Sequence, residues 1–187
     1  MDAPAKRPRL LEDTGAGAIV VLLDDEGGAS RVAPLLAQQF RVLRYGLGDR
    51  HAPAGTQARE LAGAIGELGG EAVGVIASPA TAQVALALAA AHPERVRALA
   101  LIAPPVAEAA YPELKTPVMA LFGTRNMPPG AGQKTRAAIA NCHLMLVYDT
   151  DDEMADQRPE AVAAALKEFM QAGDRFLVTS KSGKLYP

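Results

Sequence analysis

Apolar positions along this chain follow two alternating rhythms. Short apolar runs occur at 18–23 (AIVVLL), 41–45 (RVLRY), 72–77 (AVGVIA), 96–103 (VRALALIA), 116–123 (TPVMALFG) and 142–148 (CHLMLVY). Their length and composition suit strands buried on both faces. Between them lie segments with helical character: 31–40 (RVAPLLAQQF), 56–70 (TQARELAGAIGELGG), 81–93, 132–141 and 158–173. In 56–70, Leu61, Ile65 and Leu68 share one helical face and glycines close the segment. Pro93 stops the 81–93 helix, and Pro159 suits the first turn of the last one. Strand and helix alternate from 18 to 173. The expected fold class is therefore α/β, a mostly parallel, doubly wound sheet with helices on both faces.

No internal repeat or linker divides the chain, so 18–173 is expected to be one domain. Residues 1–17 are polar and rich in Ala and Gly, and are expected to be a flexible N-terminus. A C-terminal extended tail, 174–187, follows the last helix. Its RFLVTS segment has strand character and could add to a sheet edge, its own or a neighbour's.

Composition narrows the class. The 187 residues are 49% apolar, enough for one sizeable core, with no Trp and a net charge of −2. That charge gives no footprint for nucleic acid. No apolar run is long enough to span a bilayer. The single cysteine, Cys142, cannot form an internal disulfide, and with no signal-peptide pattern this points to a cytoplasmic protein.

In a parallel sheet, ligands bind at the carboxyl ends of the strands. Those ends read DDEGGAS, SPAT, GTRNMPPG and DTDDEMAD. Together with AAHPERVRALALIAP, these segments resemble the α/β-hydrolase family over residues 18–172. VVLLDDEGGAS is similar to the strand and oxyanion loop usually written VVLLHGFGGS. TPVMALFGTRN is similar to the strand that ends in the triad acid. DTDDEMADQRPEAVAAALKEF is similar to the closing segment that carries the triad histidine. The resemblance implies an α/β-hydrolase-like sheet with its lid deleted, because only VAEAAYPELK lies between the strand ending LIAPP and the strand starting TPVMALFG.

At each functional position the chain departs from the resembled pattern. A gap-free alignment puts Pro79 at the nucleophile, with Ala77, Thr81 and Ala82 in place of the elbow glycines of G-x-S-x-G. A one-residue slip would bring Ser78 there instead. The oxyanion hole would then lack a donor, because Pro79 has no N–H, and losing one such donor costs roughly 3–4 kcal/mol of transition-state stabilisation. Asp24-Asp25 replace the His-Gly of the oxyanion loop. Asn126 takes the acid position, and an amide cannot stabilise an imidazolium by charge. Asp152 takes the position of the histidine base. With a usual carboxylate pKa near ~4, it is a poor base for a serine hydroxyl.

No other histidine replaces that base: His51 follows the second strand, His92 ends a helix and His143 opens a strand. Cys142 and His143 are strand neighbours pointing to opposite faces, so they do not pair. Cys142 reads as a core or edge residue.

The expectation is a catalytically degenerate pseudoenzyme, with no catalytic residues, acting as a non-catalytic subunit or binding module of a larger assembly. Two alternatives stand beside it. One is a small-molecule-binding protein using the residual pocket. The other is a serine hydrolase, or an enzyme of altered chemistry using Ser78, Asp152 or Asp24. No cofactor or metal is expected. The resemblance places Asp24, Asp25, Glu26, Asp149, Asp151, Asp152 and Glu153 around the mouth of the site. A protein partner with a basic surface would dock there, or the tail would mediate assembly.

Overall fold

The computed structural model describes residues 7–24, 29–48, 51–69, 71–105, 114–139 and 141–173. Seven strands form one sheet: β1 (Arg9–Thr14), β2 (Ile19–Asp24), β3 (Arg41–Gly46), β4 (Val73–Ala77), β5 (Val96–Ile102), β6 (Val118–Gly123) and β7 (Cys142–Val147). Their order across the sheet is β1-β3-β2-β4-β5-β6-β7. Every neighbouring pair is parallel except β1–β3. The α/β class and the mostly parallel, doubly wound sheet are therefore present.

The helices are α1 (Ala33–Leu36), α2 (Ala54–Gly66), α3 (Ala82–Ala91), α4 (Ala131–Ala138), α5 (Met154–Gln157) and α6 (Pro159–Ala172). Successive strand residues point to opposite faces, and the core splits accordingly. From β2, Val21 and Leu23 join Leu61, Ile65, Val84 and Leu88 of α2 and α3. Val20 and Leu22 join Leu36, Leu166 and Phe169 of α1 and α6 on the opposite face. Each fully buried Leu or Val contributes roughly 1.5–3 kcal/mol relative to exposure, so two aliphatic layers hold the sheet without tryptophan.

β1 corrects the sequence reading. Within the stretch expected to be flexible, Arg9–Thr14 form an antiparallel edge strand on β3. Charge complementarity helps hold it. Arg41 forks onto Asp13 at 3.0 and 2.7 Å, and Arg44 lies 3.7 Å from Glu12. That fork holds the Asp13 carboxyl below its usual pKa. Gly15, at φ +80°, turns the chain toward β2 against the backbone carbonyls of Ala37 and Phe40, where a side chain has no room.

The first helix is also shorter than its pattern. It ends at Leu36, and Gln39 and Phe40 both donate their N–H groups to the Leu36 carbonyl as the chain turns into β3. The tail 174–187 lies outside the described residues, as do the central residues of the short connection from β5 to β6, 106–113.

Candidate functional site

β4 delivers Ser78 and Pro79 to the carboxyl end of the sheet, where Pro79–Thr81 form one 3-10 turn leading into α3. Two clefts flank this turn. The first, about 490 Å³, has a floor that includes Leu22, Leu23, Val32 and Ile102. Its polar wall is Asp24, Ser30, Arg31, Asp152, Glu153 and Asp156, with Ser78 at the turn. The second, about 400 Å³, is lined by Ala103, Pro104, Phe122, Asn126 and Met127 among others. Pro79 and Asp152 line both, so they form the ridge between the two.

The serine turn is relaxed. Ser78 has φ −73° and ψ 169°, ordinary extended backbone. Outside glycine, positive φ occurs among the described residues at Ala103, Asn141 and Asp149, not here. The Ser78 hydroxyl is also engaged. It lies 3.1 Å from Thr81 Oγ1, and that oxygen faces the carbonyls of Leu23 at 3.2 Å and Ser78 at 3.3 Å. Thr81 has one hydroxyl proton to share among these carbonyls and the Ser78 hydroxyl. The Ser78 and Thr81 hydroxyls therefore share a hydrogen bond in which either can donate, and it ties the serine side chain into the turn. The backbone N–H of Ser78 donates to the Leu23 carbonyl at 3.3 Å, which ties the turn to β2.

The acid ring predicted from sequence is only partly assembled. Asp24, Asp152 and Glu153 line the first cleft. Asp149 and Asp151 do not; other groups hold them. Arg125 binds Asp149 at 2.8–2.9 Å, with Arg158 at 3.5 Å, and this depresses the Asp149 pKa. Asp151 accepts from the Gln157 amide at 2.7 Å and from the Glu153 N–H at 2.9 Å, which lowers its pKa too. It braces the start of α5 rather than facing a ligand. Asp25 and Glu26 lie outside the described residues. No group of three His, Cys, Asp or Glu among the described residues is arranged to hold a metal ion.

Asn126 and Asp152, the predicted acid and base positions, come together at the second cleft with Pro79. No histidine lines either cleft among the described residues. His92 faces Glu94 at 3.6 Å, and His143 sits on β7, where burial lowers its pKa. Cys142 is part-buried on the same strand, and burial pushes its thiol up to about 11. At pH 8 a two-unit rise leaves about a hundredfold less thiolate than an ordinary thiol. Iodoacetamide should therefore label the folded protein about a hundredfold more slowly than free cysteine. Labelling at the free-cysteine rate would show that the thiol is not buried as described.

Two wall residues had no signal in the sequence reading. Arg31 donates to the Asp156 backbone carbonyl at 2.5 Å, joining the loop after β2 to α5 across 125 positions. Ser30 accepts from the Ala33 N–H at 3.2 Å and starts α1 beside the cleft. Their pairing depends on how β2 and β7 are placed in the sheet, which no local pattern encodes.

Neither protein-family models nor curated protein sequences give a match to this chain. Solved structures do. An alpha/beta hydrolase enzyme from the metagenome of lagoon sediments at Mar Chica, Morocco, superposes with a TM-score of 0.75 at 18% identity, covering 86% of this chain and 93% of that one. The chain has the α/β-hydrolase fold. A serine hydrolase involved in carbazole degradation matches with a TM-score of 0.70 at 15% identity, covering 85% of this chain and 93% of its own. An N-acyl homoserine lactone degrading enzyme, Est816, matches at 0.73 and 11% identity, covering 90% and 98%. At such identities the likeness gives the α/β-hydrolase fold and no chemistry. The strand–Ser78–Pro79–helix segment is a strand-to-helix turn at the carboxyl end of this sheet. No helix among the described residues is long and apolar enough to cross a membrane.

Proposed function

We propose that this α/β-hydrolase-fold chain is a catalytically degenerate binding subunit rather than a hydrolase. The observation that carries the reading is the relaxed Ser78–Pro79 turn. A nucleophile elbow holds its serine on a strained turn with the hydroxyl exposed to its base. Here the backbone is extended, the hydroxyl is hydrogen-bonded to the Thr81 hydroxyl, and the next residue has no N–H to offer an oxyanion. The bound surface is the first cleft, whose rim carries Asp24, Asp152, Glu153 and Asp156 against Arg31. Such a rim favours a basic partner surface and speeds its docking in a salt-dependent way.

A second reading draws on the two clefts themselves. Volumes of about 490 and 400 Å³ fall in the range of small-molecule sites, and the first has an apolar floor with a few polar groups. That combination supports a small-molecule-binding role for the same end of the sheet.

The test is reactivity at Ser78. The purified chain should show no p-nitrophenyl acetate or butyrate turnover above Ser78→Ala, and no labelling by a fluorophosphonate probe. Asp152→His alone should not create turnover, because the oxyanion donor is still missing. Turnover or labelling that disappears in Ser78→Ala would make the chain a serine hydrolase of altered geometry and remove the proposal.

A further inference from the structure

The two edges of the sheet differ in chemistry. β1 carries Arg9, Glu12 and Asp13, and charged side chains blunt an edge against pairing with another strand. β7 has no such guard. From Asn141 to Tyr148 there is no Asp, Glu, Lys, Arg or Pro. Leu146 is 58% exposed and Tyr148 79%, and they are two of the three large apolar side chains exposed among the described residues. Leu146 pairs in register with buried Phe122 of β6, so it continues an apolar face. α4 covers that face as far as Leu144, against which Gly132 packs, and leaves Leu146 bare.

Charge also runs along this edge. At the Cys142 end lie Lys115, whose carbonyl accepts from the Asn141 side chain at 3.4 Å, and Arg136 of α4, whose charge reaches Cys142 and His143. No Asp or Glu occurs between Leu114 and Cys142. Beyond the Val147 end lie Asp149, Asp151, Asp152, Glu153 and Asp156, opposed by Arg125 and Arg158. The edge therefore runs from basic to acidic. A parallel copy would set like charge against like. A reversed copy sets each basic end against an acidic one.

We propose that β7 pairs antiparallel with β7 of a second copy of this chain, across a two-fold axis perpendicular to the sheet, making one continuous sheet of two domains. Such an interface is isologous and closes at two copies. The axis keeps each face of the sheet matched to itself, so residues opposite one another differ by an even number of positions. Leu146 then lies against Cys142 or Leu144 of the second copy and leaves water. Six strand residues and their flanks make a small interface, in the weak class below about 1,200 Å², so the expected affinity is micromolar. The pairing goes beyond the proposed binding role and does not depend on Ser78.

The test is sedimentation velocity of the full chain over a range of micromolar concentrations. The expected result is a reversible species of twice the 19.5 kDa chain mass. Leu146→Lys places a guard charge at an exposed position. It should leave the melting temperature near that of the wild type and raise the dimer Kd about tenfold or more. Added salt should weaken the wild-type dimer. Amide exchange should show β7, not β1, gaining protection as concentration rises. A monomer throughout, self-association indifferent to Leu146→Lys, or protection gained at β1 instead would overturn the proposal.

Discussion

Phe169→Ala should lower the unfolding free energy by about 3–5 kcal/mol, the usual cost of emptying a buried phenylalanine site. Phe169 is the largest fully buried side chain, at 0% exposure, and belongs to the cluster of Val20, Leu22, Leu36, Ile76 and Leu166. Its strand neighbours are held by hydrogen bonding on both sides, so the gap cannot collapse easily. Denaturant melts of wild type and variant measure the effect, read as a fall in midpoint at constant slope. A loss under about 1 kcal/mol would mean that α6 does not pack on the sheet as described.

Gly123→Ala should cost about 2–3 kcal/mol, and this change acts on the site as well as on stability. Gly123 ends β6, and a Cβ there would run into the backbone carbonyls of Thr150 and Asp151. That loop cannot simply move aside. Its Thr150 carbonyl accepts from the Arg125 N–H at 2.9 Å, and the Thr150 hydroxyl donates to the Val147 carbonyl at 2.8 Å. The same loop carries Asp152 and Glu153 into the first cleft. Gly63→Ala is the control. Nothing lies within 4 Å of a Cβ at this position inside α2, so Ala should stabilise by up to about 1 kcal/mol. If Gly123→Ala were neutral or stabilising like the Gly63→Ala control, the close approach at Gly123 would be refuted.

The central strands were legible because burial on both faces produces apolar runs, and the edge strand β7 because its residues are apolar although part-exposed. Observed β2, β4 and β7 each begin or end within about one residue of the runs read from sequence. β1 was hidden because an edge strand is half exposed on each side. Leu10 and Leu11 are adjacent rather than alternating, and the strand is held by Arg41 and Arg44, thirty positions away in round terms. α5 was too short to show a period. At the site, Asp24, Asp152 and Glu153 could be read because they lie at or just beyond the carboxyl ends of strands. The diversion of Asp149 to Arg125, and the Arg31 reach to Asp156, depend on loops that meet only in the folded chain. Sequence lists the carboxylates at a strand end, but their counter-charges come from other strand ends.

The relaxed Ser78 turn also bears on what this chain can become. Backbone held in a sparsely populated region costs about 1–3 kcal/mol, and a domain of this kind has only about 5–15 kcal/mol in total. With Ser78 extended and Pro79 fitted to a 3-10 turn, that strain is absent. A substitution that installed a strained nucleophile would lower stability at once. On the binding role proposed above, any catalytic benefit would wait for a donor, a base and an acid that arrive separately. On that same reading, each early step would be opposed on stability alone, and the turn would work as an evolutionary ratchet, easy to enter and hard to leave.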